Sequence, residues 1–232
     1  MSRAIKGLLT LGCILAFGRL GLPQSARASS ADLNLSITVH VFNYAELSPK
    51  ALQHAEAVAA QIFREVGIET AWLDCSPFPR QAQQLPLCPS TLGPTEFALR
   101  IHFRNRAAQA GFPGSWLGYA MPPAEEGGRS SQASVFFDRV LDQAKSGIAS
   151  VPVTLGHAMA HELGHLLMPS VGHTSSGLMR GKWSPSDLLL AAQGKLHFTS
   201  QQADIIRAEA AARAQLAAQR QAGSDSFTAS VK

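Results

Sequence analysis

The chain has 232 residues, 46% hydrophobic and 16% charged, with 20 basic against 16 acidic side chains. That length suits one domain with appendages, and the apolar share is enough for a core. Four of the basic residues, Arg3, Lys6, Arg19 and Arg27, fall in the first 28 positions, which hold no acid; the remainder balances at 16 and 16 and gives no basis for a nucleic-acid or anionic-membrane partner.

Arg3 and Lys6 form a basic start, and Gly7 to Phe17 is an apolar run of the usual signal-peptide length. Ala26-Arg27-Ala28 supplies a small-residue cleavage site. Residues 1–28 therefore read as a signal peptide cut after Ala28, and the apolar run is too short for a membrane span. The mature protein is expected to be secreted or periplasmic, with no stable membrane insertion. Cys13 leaves with the leader. Cys75 and Cys88 remain, an even pair in an exported chain, and a disulfide between them is the default expectation. Neither has a basic or metal-ligating neighbour in sequence, so a structural bridge is read in preference to a reactive thiol.

Leu35 to Val41 alternates, with Leu35, Ile37, Val39 and Val41 on one face, and predicts a strand. Ser48-Pro49 starts a helix as N-cap and first helical residue. Leu52, Ala55, Ala59, Ile62, Phe63 and Val66 share its apolar face, and Gly67 ends it. Ile68 to Leu73 predicts a second strand. The loop that follows is rich in Pro and Gln. Thr95 to Phe103 predicts a third strand, with His102 on the face away from Phe97, Leu99 and Ile101 and read as a surface or packing residue. Trp116 to Met121 is a short extended piece in a Gly- and Pro-rich region, and Glu125 to Arg129 a solvated turn. Ala133 to Asp138 predicts a further strand.

A mostly apolar helix should begin near Pro152 to Thr154 and end near Leu167 or Met168, because Pro169 would clash with the carbonyl of His165. It carries His161-Glu162-Leu163-Gly164-His165, the pattern H-E-x-x-H. On a helix, His161 and His165 lie one turn apart on one face, and Glu162 projects about 100° away from His161. Two imidazoles so placed reach one Zn²⁺, and a carboxylate just outside the first shell serves as general base for an acidified water. His157, one turn earlier, is read as a packed or supporting residue. After Pro169, Gly172 offers a turn, His173 follows as the third candidate ligand, and Gly177 permits a second turn before Met179. The carboxylates Asp187, Asp204 and Glu209 are the alternative third ligands. Ser184-Pro185 starts a helix to about Gln193, and Thr199 to Gln202 has the capping-box form of a long Ala-rich helix running to about Gln221. Residues 222–232 read as a disordered tail.

The stretch from about Ser36 to Met179 resembles the metzincin zinc peptidases, and among them the matrixin-like core. The residues that carry the resemblance are His161-Glu162-Leu163-Gly164-His165, His173 and Met179. Gly114 to Pro122 looks like the antiparallel edge strand along which those enzymes lay their substrate, and Ala133 to Asp138 like the strand after it. The resemblance implies an α+β fold: a twisted mixed sheet packed on the active-site helix, a Met turn beneath the metal, and a C-terminal helical subdomain. It departs from the family string H-E-x-x-H-x-x-G-x-x-H. His173 falls two residues later than in that string, Met168 replaces the Gly, and no Tyr follows Met179.

These readings make residues 29–221 a zinc metallopeptidase-like domain. His161, His165 and His173 would bind Zn²⁺, Glu162 would be the catalytic base, and the partner would be a peptide or protein substrate. The alternative is a zincin-fold metal-binding protein without efficient peptidase activity.

Overall fold

A computed structural model describes residues 35–76, 88–103, 111–112, 116–125, 128–169 and 171–230, with side chains to 224. The predicted leader 1–28 and its predicted cleavage site lie outside the described residues, as do parts of the Gly- and Pro-rich region and the last two residues of the chain. The elements in chain order are β1 (Ser36–Asn43), α1 (Pro49–Glu65), β2 (Glu69–Asp74), β3 (Glu96–His102), β4 (Gly118–Ala120), β5 (Gln132–Phe136), α2 (Phe137–Ala144), α3 (Val151–Leu167), α4 (Pro185–Ala192) and α5 (Ser200–Ser230).

The strands form one five-stranded sheet in the order β2-β1-β3-β5-β4. β2, β1, β3 and β5 run parallel, and β4 lies antiparallel to β5 at the edge. The sheet is therefore mixed, as expected. Ile37, Val39 and Val41 of β1, Phe97, Leu99 and Ile101 of β3, and Val135 of β5 point into one core that α1 and α3 cover. In α1 the predicted face is the buried one, and the Ser48 hydroxyl caps its start by accepting from the Ala51 N–H. The Cys75–Cys88 disulfide is formed, with Cα atoms 5.8 Å apart.

Two elements differ from expectation. The strand predicted to reach Asp138 ends at Phe136, and Phe137–Ala144 turns at once into α2. Its Val140 is fully buried, and Phe137 packs on the core from half-exposed positions around it. Helical spacing within a short run lost to the β-rich stretch before it. The Ala-rich helix α5 also runs on to Ser230, past the point near Gln221 where composition placed its end.

One buried cation fixes α5 against the body. Arg213 is 1% exposed. It donates from Nε to Glu209 at 2.8 Å, from Nη1 to the Pro94 carbonyl at 3.1 Å, and from Nη2 to the Ser130 and Leu166 carbonyls at 2.9 and 3.2 Å. Its guanidinium also lies 4.9 Å from the centre of the Phe97 ring. Arg213→Ala removes this donor from three backbone carbonyls and leaves Glu209 with Arg129 alone. It is expected to lower stability by about 3–5 kcal/mol in urea denaturation.

Glu56 of α1 is raised to about 7 by burial and, next, by the charge of Asp74. The folded chain thus holds this proton between its ordinary value and about 7, where the unfolded chain has lost it. The stabilisation is complete below the ordinary carboxylate range and is lost as pH rises through that window. Glu56→Gln is expected to flatten this part of a plot of thermal midpoint against pH.

Candidate metal centre

α3 ends at Leu167, with Met168 already non-helical at φ −133°. The chain then folds back under the helix it has left. Thr174 N–H donates to the Met179 carbonyl at 2.9 Å, and Arg180 closes the loop through two bonds to the Ser175 carbonyl and one of 2.9 Å to Asp187. The left-handed residue of this return is Gly177, at φ +72°, and not Gly172. Gln202 anchors the loop to α5 by donating to the Thr174 hydroxyl at 3.1 Å. The predicted capping box at Thr199 and Gln202 is formed on the same residue.

This return carries His173 to the face of α3 that presents His161 and His165. The ring centroids of the three imidazoles are 4.8, 5.3 and 5.0 Å apart, and one ring nitrogen from each lies within 4.8 Å of the others. The Nε2 atoms of His161 and His165 face each other at 3.1 Å. His161 Nδ1 donates to the Leu178 carbonyl at 2.8 Å. That bond places the ring proton on Nδ1 and leaves the Nε2 lone pair aimed at its neighbours.

Burial, followed by the neighbouring His165, pushes His161 down to about 3. Burial, followed by His173, pushes His165 down to about 4. Both are neutral at physiological pH, the form that ligates a cation. Three ring nitrogens converging from a buried, a partly buried and an exposed imidazole fit a metal ion. Asp187, Asp204 and Glu209 do not join them. Asp187 pairs with Arg180 and caps α4 through Ser184, Asp204 pairs with Arg207, and Glu209 pairs with Arg129 and Arg213.

Glu162 is 4% exposed and lines the same cleft of about 480 Å³ as the three imidazoles. Burial alone raises its carboxyl to about 8. The other wall of the cleft is β4. A Cβ on Gly118 would lie 2.6 Å from Glu162 Oε1, so only a glycine lets β4 approach this closely. Met179 is fully buried beneath the helix, and a Cβ on Gly164 would meet its Sδ at 2.9 Å.

Three supporting groups escape sequence reasoning. Trp183 donates from Nε1 to the same Leu178 carbonyl at 3.1 Å and stands edge-on to His161 at 6.0 Å. Gly118 and Gly181 are close-approach positions, and neither has a spacing that marks it. His157 is buried as read, bonded at Nδ1 to the Val153 carbonyl at 2.8 Å and edge-on to Trp183. His102 lies elsewhere, stacked on Tyr44 at 5.4 Å.

A Cβ on Gly181 would come within 2.8 Å of the His173 ring. Gly181→Ala must therefore displace the one exposed imidazole of the three and leave the helix pair in place. It is expected to weaken divalent-cation affinity by about 10–100-fold, the range for a lost supporting contact, in competition with a chromogenic chelator.

No family model and no curated protein matches this chain. Among solved structures it is similar to archaemetzincin from Methanopyrus kandleri, at 15% identity and a TM-score of 0.47 over 76% of this chain and 97% of that one. It is similar also to a zinc-dependent peptidase from Methanocorpusculum labreanum, at 15% identity and a TM-score of 0.44 over 72% of this chain and 99% of that one. A third similar structure is metalloproteinase-II from Bacteroides fragilis, at 12% identity and a TM-score of 0.42 over 76% of this chain and 53% of that one.

Proposed function

We propose that the chain is an exported zinc-dependent metallopeptidase. The observation that carries this reading is one cleft in which three convergent imidazoles and a buried carboxylate lie beside an open strand edge. His161, His165 and His173 are the ligands. Imidazole donors alone favour zinc over harder cations, which prefer oxygen. Zinc bound there supplies a Lewis acid that makes water a nucleophile at neutral pH and polarises a carbonyl.

The chain's own groups do the rest. Glu162 takes the proton of the attacking water on its carboxylate and returns it to the leaving amine. Burial by itself keeps this carboxyl protonated to about pH 8, whereas positive charge among the adjacent imidazoles favours its ionised, accepting form. The substrate is positioned by β4. Its hydrogen bonds to β5 fall at Leu117 and Met121, in step with the Tyr119–Ser134 pair. By antiparallel alternation, Gly118 and Ala120 turn their N–H and C=O groups to the outer edge, where an extended peptide can pair with them. Gly118 is thus both a close-approach position beside Glu162 and a backbone partner for the scissile segment.

Export is supported by the disulfide, and among the described residues no helix is long and apolar enough to cross a membrane.

Glu162→Gln is expected to keep its metal and its fold while hydrolysis of an unfolded protein drops by about 10²–10⁴-fold. His173→Ala is expected to lose both metal and activity. Metal analysis beside a fluorescent-casein assay reads both variants. Unchanged turnover in Glu162→Gln would remove that carboxylate from the mechanism, and no hydrolysis by the metal-loaded wild type would leave a metal-binding protein.

A further inference from the structure

A second cluster of reactive groups lies at the other edge of the sheet. His40 sits in β1 on the face away from Val39 and Val41, yet it is only 2% exposed. Its Nε2 is 3.3 Å from Glu96 Oε1, and its Nδ1 is 3.7 Å from Cys75 Sγ. Glu96 is fixed in turn, because its other oxygen accepts from the Gly93 N–H at 2.6 Å. The line therefore runs carboxylate, imidazole, sulfur, with the imidazole held at one nitrogen and aimed by the other. That is the arrangement of a base-activated thiol: a third group orients the imidazole, and the imidazole faces the sulfur. Cys75 is buried, while its disulfide partner Cys88 is exposed. The basic neighbour that neither cysteine has in sequence is supplied by β1.

We propose that Cys75–Cys88 is a thiol–disulfide exchange site for a dithiol reductant, with Cys75 as the leaving sulfur and His40 as the group that receives it. Access selects the order of events. A thiolate of the reductant attacks the sulfur of Cys88, the exposed residue of the pair, a new sulfur–sulfur bond forms there, and the Cys75–Cys88 bond breaks. Its electron pair stays on Cys75, where the His40 Nδ1 faces the new thiolate while Glu96 holds Nε2. The reductant's second thiol loses its proton to solvent and attacks the mixed disulfide. It closes the reductant's own disulfide and releases Cys88, which takes a proton from water. Two electrons pass from the dithiol to the protein. A leaving thiolate paired with an imidazolium departs faster than a free one, because a lower thiol pKa makes the better leaving group.

The test uses the full chain and dithiothreitol. Reduction is followed by trapping both thiols with a maleimide and weighing the product, at equal dithiothreitol-thiolate concentration across pH. The wild type should be reduced roughly tenfold faster than His40→Gln, as expected for a leaving thiol acidified by its neighbour. Reduced wild type should also show ultraviolet thiolate absorbance at about pH 7, where an unperturbed thiol is almost wholly protonated, and His40→Gln should lack it. A merely packing role predicts the opposite rate change, because a loosened core exposes the bond and speeds reduction. Equal or faster reduction of His40→Gln with unchanged absorbance overturns the proposal. Should His40→Gln not fold, Glu96→Gln decides: slower reduction with weaker thiolate absorbance supports the proposal, and wild-type values in both overturn it. No peptide substrate enters the measurement, so its result is independent of the peptidase reading.

Discussion

The Leu178 carbonyl is the point on which the metal centre turns. It accepts from His161 Nδ1 and from Trp183 Nε1, so one backbone oxygen joins the helix, the return loop and the segment leading to α4. The same residue's N–H donates to the His197 carbonyl at 2.8 Å. Leu178 is thereby held through both peptide units that flank it, which restrains its oxygen. Fixing it fixes the tautomer of His161, and the tautomer decides whether Nε2 offers a lone pair or a proton. Proline at 169 ends the helix, but this shared acceptor determines where the returning chain stops.

Burial then sets the charge state of the site. Removing His161 and His165 from water makes them neutral, which is what a ligand requires. The same burial drives the proton onto Glu162, the wrong form for the base role proposed for it. A cation among the imidazoles resolves the conflict, since it draws on neutral nitrogens and stabilises a nearby carboxylate. The cost of burying such groups is met elsewhere, by a core of fully buried Ile, Val, Leu and Phe and by the Arg213 network.

Periodic signals were legible in the sequence because the physics that makes them is local. The alternation of β1, the apolar face of α1 and the proline-limited end of α3 all follow from chain geometry within a few residues. The clustering of His161 and His165 follows from helical pitch alone. Groups that act across the fold left no such trace. Trp183 matters because of a carbonyl five residues earlier, and Gly118 because of a side chain on another element. Gly172 looked like the turn because it precedes His173, yet the left-handed backbone is at Gly177, where the chain passes the His197 carbonyl. α2 was hidden because Phe137 continues the β-rich run before it and Val140 places a β-branched residue inside the helix.

The sheet keeps two chemistries apart. The metal cleft uses β4, α3 and the return loop at one edge, and the disulfide with His40 and Glu96 uses β2, β1 and the start of β3 toward the other. β3 touches both regions, but through opposite faces. Glu96 faces His40, whereas the next residue, Phe97, turns inward beneath Arg213, which also binds the carbonyl of Leu166 on the metal helix. Alternation along a strand has a period of two, so adjacent residues serve opposite sides of the sheet. A change at the disulfide can reach the metal helix through β3, which Arg213 braces from the metal side, or through α1, which packs on both β2 and that helix.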